Sequence, residues 1–245
     1  MRLEPERVRR TSEALLERVH ERFPDRGITR LAQDLVEQAV EAEQHAPQLG
    51  EPIRPVRMLI WALGLLLVGL VFATLYSVHM PDQLPELLDL VEFVEATVNN
   101  LVFIGLAVVF LLGFEARIKR RRVLAVIHRL RSLAHIIDMH QLTKDPHRIT
   151  ASHESTASSP TPGLNAFELR RYLDYCGEML SLCGKIAALY AQHFDDEVVL
   201  GAVNEVEILT TGLTRKVWQK IDLVEKLSPT TIAPYANEAA ASSRP

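Results

Sequence analysis

Cysteine is scarce in this chain of 245 residues: there are two, Cys176 and Cys183, and they do not form a pair at zinc-finger spacing. Seven residues apart on one helix, their Cα atoms stand about 10.5 Å from each other, beyond the ~7 Å that a disulfide can bridge. They read as reduced, buried thiols, with an intermolecular bridge or a metal site as the rarer alternatives. Glycine is sparse too, at eleven residues, and none of them falls into a phosphate-cradling, dinucleotide-binding or nucleophile-elbow pattern. Aromatic residues make up 6%, the formal net charge is −4, and no aromatics interleave the basic run, which argues against nucleic acid as a partner. The first thirty residues mix Arg and Glu without the apolar core of a secretory leader, so the first apolar helix is expected to act as its own insertion signal.

Charge is missing where it matters most. Residues 58 to 78, MLIWALGLLLVGLVFATLYSV, hold twenty-one residues without a formal charge. As a helix they extend roughly 32 Å, enough for the ~30 Å hydrocarbon core of a bilayer. A second run, 101 to 114, has fourteen apolar residues and is preceded by five more uncharged ones. Together the two predict a transmembrane hairpin over 58–114. Neither run contains Asp, Glu, Lys, Arg or His, which weighs against a proton relay or coupled transporter.

Orientation follows from basic residues. The connecting stretch 79–97 carries Asp82, Glu86, Asp89, Glu92 and Glu95 but no Lys or Arg, whereas Arg117, Lys119, Arg120, Arg121 and Arg122 follow the second run and Arg54 and Arg57 precede the first. By the positive-inside rule both termini face the cytosol of a bacterial-type inner membrane and the acidic loop faces out. The basic run can also contact anionic headgroups. Trp61 and Tyr76 lie near the two ends of the first span, as interfacial anchors do. Gly69, Ala73 and Ser77 form a small-residue strip that would admit a close helix, most simply the second span.

Outside the spans the apolar residues recur at helical intervals, predicting an all-α fold. Residues 1–57 comprise two amphipathic helices and a proline-punctuated lead-in, and their narrow stripes need a partner, either other cytosolic helices of the chain or another subunit. The second span is expected to continue as one helix through 115–143, and the Ser/Thr-rich 144–164 reads as a flexible linker. Asn165 with Glu168 resembles a capping box. Beyond it Leu169, Leu173, Cys176, Leu180, Cys183 and Tyr190 keep a three-four, coiled-coil-like seam, matched by Val199, Val203, Val206, Leu213, Val217 and Ile221. These predict an antiparallel helical hairpin over 165–227, with a disordered tail at 228–245. Gly177, Gly184, Gly201 and Gly212 on these helices suggest close packing.

Chemistry is harder to find. His128, His135 and Asp138 share one helix face and are weak candidates for a metal, although two or three donors on one helix leave its coordination unfilled. His153-Glu154 begins a metalloprotease motif that lacks its second His. Tyr172, Tyr175 and Glu178, with Arg170 and Arg171, read as the edge of a bundle. The leading expectation is a membrane-anchored scaffold or regulatory interaction protein with no catalysis and no cofactor. It is bound to the lipid bilayer and engages itself or another protein through its cytosolic helices. The alternatives are a homo-oligomeric channel built from several hairpins and a membrane-bound metal enzyme.

Overall fold

The computed structural model describes residues 2–78, 87–146 and 163–228, and among these every regular element is helical. The elements are α1 (Pro5–Arg22), α2 (Gly27–His45), a 3-10 turn (Pro47–Gly50), α3 (Arg54–Val78), α4 (Leu87–Leu142), α5 (Ala166–Ala191) and α6 (Glu197–Leu227). They divide into two compact units, one made of the residues up to Gly50 together with those from Val123 onward, the other of Glu51–Arg122. Residues 79–86 of the acidic loop, 147–162 of the expected linker with His153 and Glu154, and the tail 229–245 lie outside the described residues.

The first unit is organised around α5. Fifteen of its twenty-six residues are buried and they occur on every turn, so this helix needs cover on several sides. The stripe Leu169, Leu173, Cys176, Leu180, Cys183 and Tyr190 is buried, as is that of Val199, Val203, Val206, Leu213, Val217 and Ile221 on α6. The two helices run antiparallel: a Cβ on Gly177 would lie 3.8 Å from Val217, and one on Gly184 would lie 3.3 Å from the Thr210 hydroxyl. Gly201 and Gly212 do not share this closeness, because a Cβ on either meets nothing within 4 Å.

The remaining sides of α5 are covered by the amino-terminal helices. Packing against α1 is antiparallel, fixed near its ends by Leu3 N–H to Gln192 Oε1 (2.8 Å) and by Arg18 to Glu178 (2.6 Å). Phe23, at the end of α1, meets Tyr172 and Tyr175 edge to face, with ring centroids 5.6 and 6.3 Å apart. Those tyrosines are therefore interior, at 3% and 2% exposure, and not the bundle edge that their polar neighbours suggest. Offset and edge-to-face ring pairs of this kind contribute about 1 kcal/mol beyond the area they bury.

The carboxy-terminal part of α4 joins the same core through Val123, Val126, Ile127, Leu130, Leu133, Ala134 and Ile137. It is tied to α2 by Arg129, which reaches Gln38 (3.1 Å) and Glu41 (2.6 Å), and to α6 by Arg131 to Glu205 (3.1 Å). Lys220 of α6 donates to the carbonyl of Gln141 at 2.7 Å, satisfying one of the acceptors that the last turn of α4 leaves open. The stripes on α1 and α2 thus find their partner within the chain.

Local signals set the ends of these helices. Asn165 Oδ1 accepts from Glu168 N–H (2.8 Å) while Glu168 accepts from Asn165 N–H (2.9 Å), a reciprocal capping box. Asp196 caps α6 by accepting from Val198 and Val199 N–H at 3.1 and 3.2 Å. Proline behaves differently from the expected stiff lead-in. Pro55 sits in the first turn of α3, where its missing N–H costs nothing, so the helix begins at Arg54 and not at 58. Upstream of Leu142, α4 runs unbroken from Leu87, so the acidic stretch from that residue on feeds into the second apolar run without a separate helix.

Both thiols are fully buried and unbridged, and burial pushes each up to about 12. A thiol whose ionisation is suppressed by folding stabilises the folded state below its unfolded value near 9. That contribution is lost as pH rises from there toward 12. Stability in chemical denaturation should therefore fall between pH 9 and 10, by roughly 1 kcal/mol per thiol at pH 10, and the slope should flatten in a Cys176→Ala, Cys183→Ala variant. A thiol reagent at neutral pH should modify neither cysteine before global unfolding. Leu180→Ala, at the centre of the α5–α6 contact, should cost about 3 kcal/mol in the same measurement.

Candidate membrane interface

The second unit has the opposite surface from the first. Along α3, Met58, Trp61, Leu65, Phe72 and Tyr76 are 65% exposed or more, and along α4 so are Phe103, Leu106 and Val109. Two helical stretches, within Gly27–Leu70 and Thr97–Leu142, are long and apolar enough to cross a bilayer. Their apolar windows have mean hydropathies of 1.8 and 2.2, and no part of either window is buried. Water would charge about 25 cal/mol for each Å² of such surface, and contiguous apolar faces of this extent mark a contact with lipid or protein.

Four groups at one end of this unit are drawn together. Glu115 Oε1 accepts from Ile53 N–H at 3.0 Å and pairs with Lys119 Nζ at 2.9 Å, while Lys119 also donates to the Glu51 carbonyl at 2.7 Å. Ile53 directly precedes α3, so Glu115 satisfies a helix-terminal donor from a position sixty-two residues away and sets a carboxylate at the positive end of the helix dipole. Both side chains of the ion pair are about 14% exposed, which makes the pair less screened than one at an open surface. The i, i+4 pairing of Glu115 with Lys119 is legible in sequence; its reach to Ile53 and Glu51 is not.

Around this network lie the basic residues. Arg54, Arg57, Arg117, Arg121 and Arg122 are exposed, while Lys119 and Arg120 are partly covered. The Arg117 guanidinium stands 5.9 Å from the Phe110 ring centroid. Trp61 and Tyr76 are exposed at 73% and 68%.

Other expected contacts are absent. A Cβ on Gly69 would meet nothing within 4 Å, so the strip it forms with Ala73 and Ser77 does not bring a second helix close at that glycine. The side chain of Ser77 lies outside the described residues. His128 and His135 are exposed, and Asp138 instead accepts from Gln141 Nε2 at 2.6 Å. No group of three His, Cys, Asp or Glu able to hold a metal occurs among the described residues.

No protein-family model, no curated protein and no solved structure matches this chain.

Removal of the shared acceptor tests the network. Glu115→Ala should lower the stability of the detergent-solubilised chain by about 1–3 kcal/mol, because it strands the Ile53 N–H and leaves the Lys119 ammonium with the Glu51 carbonyl but no counter-charge. Arg117→Gln, at an exposed side chain that stands over the Phe110 ring and takes no part in those bonds, should change it by no more than about 0.5 kcal/mol. Thermal unfolding monitored by loss of helicity reads both.

Proposed function

We propose that this chain is a two-span membrane protein of a bacterial-type inner membrane, with both ends cytoplasmic, and that its helical bundle is a scaffold or regulatory module that does no catalysis. One observation carries the topology. Residues before Gly50 and residues after Val123 build a single hydrophobic core, although the two apolar stretches lie between them in sequence. Segments that share a core must lie on the same side of a membrane, so the chain between them crosses an even number of times. Two apolar stretches fulfil that requirement. The basic residues at 54, 57 and 117–122 then select the cytoplasm as the shared side.

The bundle's outer surface supports the interaction reading. Ile208 and Trp218 of α6 and Met139 and Leu142 of α4 are each more than 60% exposed in a unit whose apolar stripes are otherwise buried. Large exposed apolar side chains, Trp above all, are the residues on which protein contacts concentrate their energy.

Topology is tested by labelling. The native thiols are buried, so single cysteines can be introduced at Asp89, Ala14 and Lys216, and a membrane-impermeant maleimide should reach the first from outside intact cells. The other two should react only after permeabilisation. Labelling of position 14 or 216 from outside, or release of the chain from vesicles by alkaline carbonate, overturns the two-span reading. For the scaffold, crosslinking in native membranes should capture a distinct partner protein, lost in Trp218→Ala. A closed ring of this chain as the sole product would favour the channel instead.

A further inference from the structure

We infer that the arginines at the inner boundary of the second unit form a binding surface for anionic phospholipid headgroups, conferring a preference for lipid charge beyond their effect on topology. The inference rests on the membrane reading given above.

Two separate basic groups are brought to one level. Arg54 and Arg57 belong to the first turns of α3, and Arg117, Arg120, Arg121 and Arg122 to α4, some sixty residues later. The bonds from Ile53 N–H to Glu115 (3.0 Å) and from Lys119 to the Glu51 carbonyl (2.7 Å) join the residues adjacent to each group. Even without Arg120, six cations stand in this stretch with two carboxylates, Glu51 and Glu115, and Glu115 is already engaged by Ile53 and Lys119. The surface keeps a large positive excess that its own acids do not neutralise.

That excess adjoins apolar surface. Arg117 leans toward the ring of Phe110, which is itself 59% exposed, so a guanidinium stands where the apolar side chains end. Positive charge bordering exposed hydrocarbon is the complement of a phosphodiester above its acyl chains, and a soluble anion would match only half of it. Guanidinium groups, with paired N–H donors in a fixed fork, suit phosphate oxygens better than ammonium groups do. Near an anionic surface each such cation contributes about fivefold in affinity.

The full chain in neutral detergent, titrated with fluorescent phosphatidylglycerol and with the phosphatidylcholine analogue, tests this. Phosphatidylglycerol should bind at least about tenfold more tightly, with a preference that weakens as salt is raised. An R54Q/R57Q/R121Q/R122Q variant of unchanged helicity should lose affinity for it by roughly several hundredfold. An R7Q/R10Q variant, which removes two exposed arginines from α1, should bind as the native chain does. Equal binding of the two lipids, an undiminished preference in the quadruple variant, an equal loss in the α1 variant, or competition by soluble glycerol phosphate at lipid concentrations would each overturn the inference. Carbonate extraction separates the two levels of failure. A chain that stays in the membrane but ignores lipid charge refutes only this inference, and one that washes off refutes the membrane reading beneath it.

Discussion

Burial of α5 is the constraint from which the rest of the first unit follows. A helix with apolar side chains on every turn has no face to give to water, and one neighbour covers only a stripe of it. Helix α6 covers the seam that includes Cys176, Leu180 and Cys183, while Phe23 at the end of α1 closes over Tyr172 and Tyr175. The helices that meet on α5 come from both ends of the chain. Whatever lies between them is held as a closed excursion that leaves the core and returns to it, and in this chain the excursion carries nearly all of the exposed apolar surface on α3 and the first part of α4.

The two units dispose of their apolar residues in opposite ways. In the first, apolar stripes are hidden against one another, and long polar side chains such as Arg129 and Arg131 bridge neighbouring helices at the rim. Each of those rim pairs is worth little by itself, since exposed ion pairs typically contribute under about 1 kcal/mol. Their value is in register: they link α4 to α2 and to α6 at defined heights. In the second unit the apolar residues face outward, and order comes from the polar network of Glu115, Lys119, Ile53 and Glu51 at one end. There the paired groups are largely covered, so each partner left alone would be costly, and the network holds the beginning of α3 beside α4.

Much of this is local and therefore legible in residue order. The capping box at Asn165 and Glu168 depends on two side chains three residues apart, and Asp196 needs only the first turn of its own helix. The buried stripes of α5 and α6 follow the three-four interval along each helix. Legibility stops where a residue's environment is made by a distant segment. Tyr172 and Tyr175 sit among arginines and acids in sequence and read as surface, because Phe23, which encloses them, is some 150 positions away. The glycines divide in the same way. All four on α5 and α6 are equally small, yet only Gly177 and Gly184 face a close neighbour.

The amino-acid order by itself determined which segments are helical, where the caps fall, which stretches are long and apolar enough to cross a bilayer, and on which flank of them the basic residues collect. Each of these depends on interactions within a few residues or on simple transfer of side chains between solvents. Tertiary structure alone decided that the amino-terminal helices fold onto α5, and that Glu115 serves Ile53 as well as Lys119. An amphipathic face states that it must be covered without stating by what, and the choice among possible covers is settled only when all the faces of the chain compete at once.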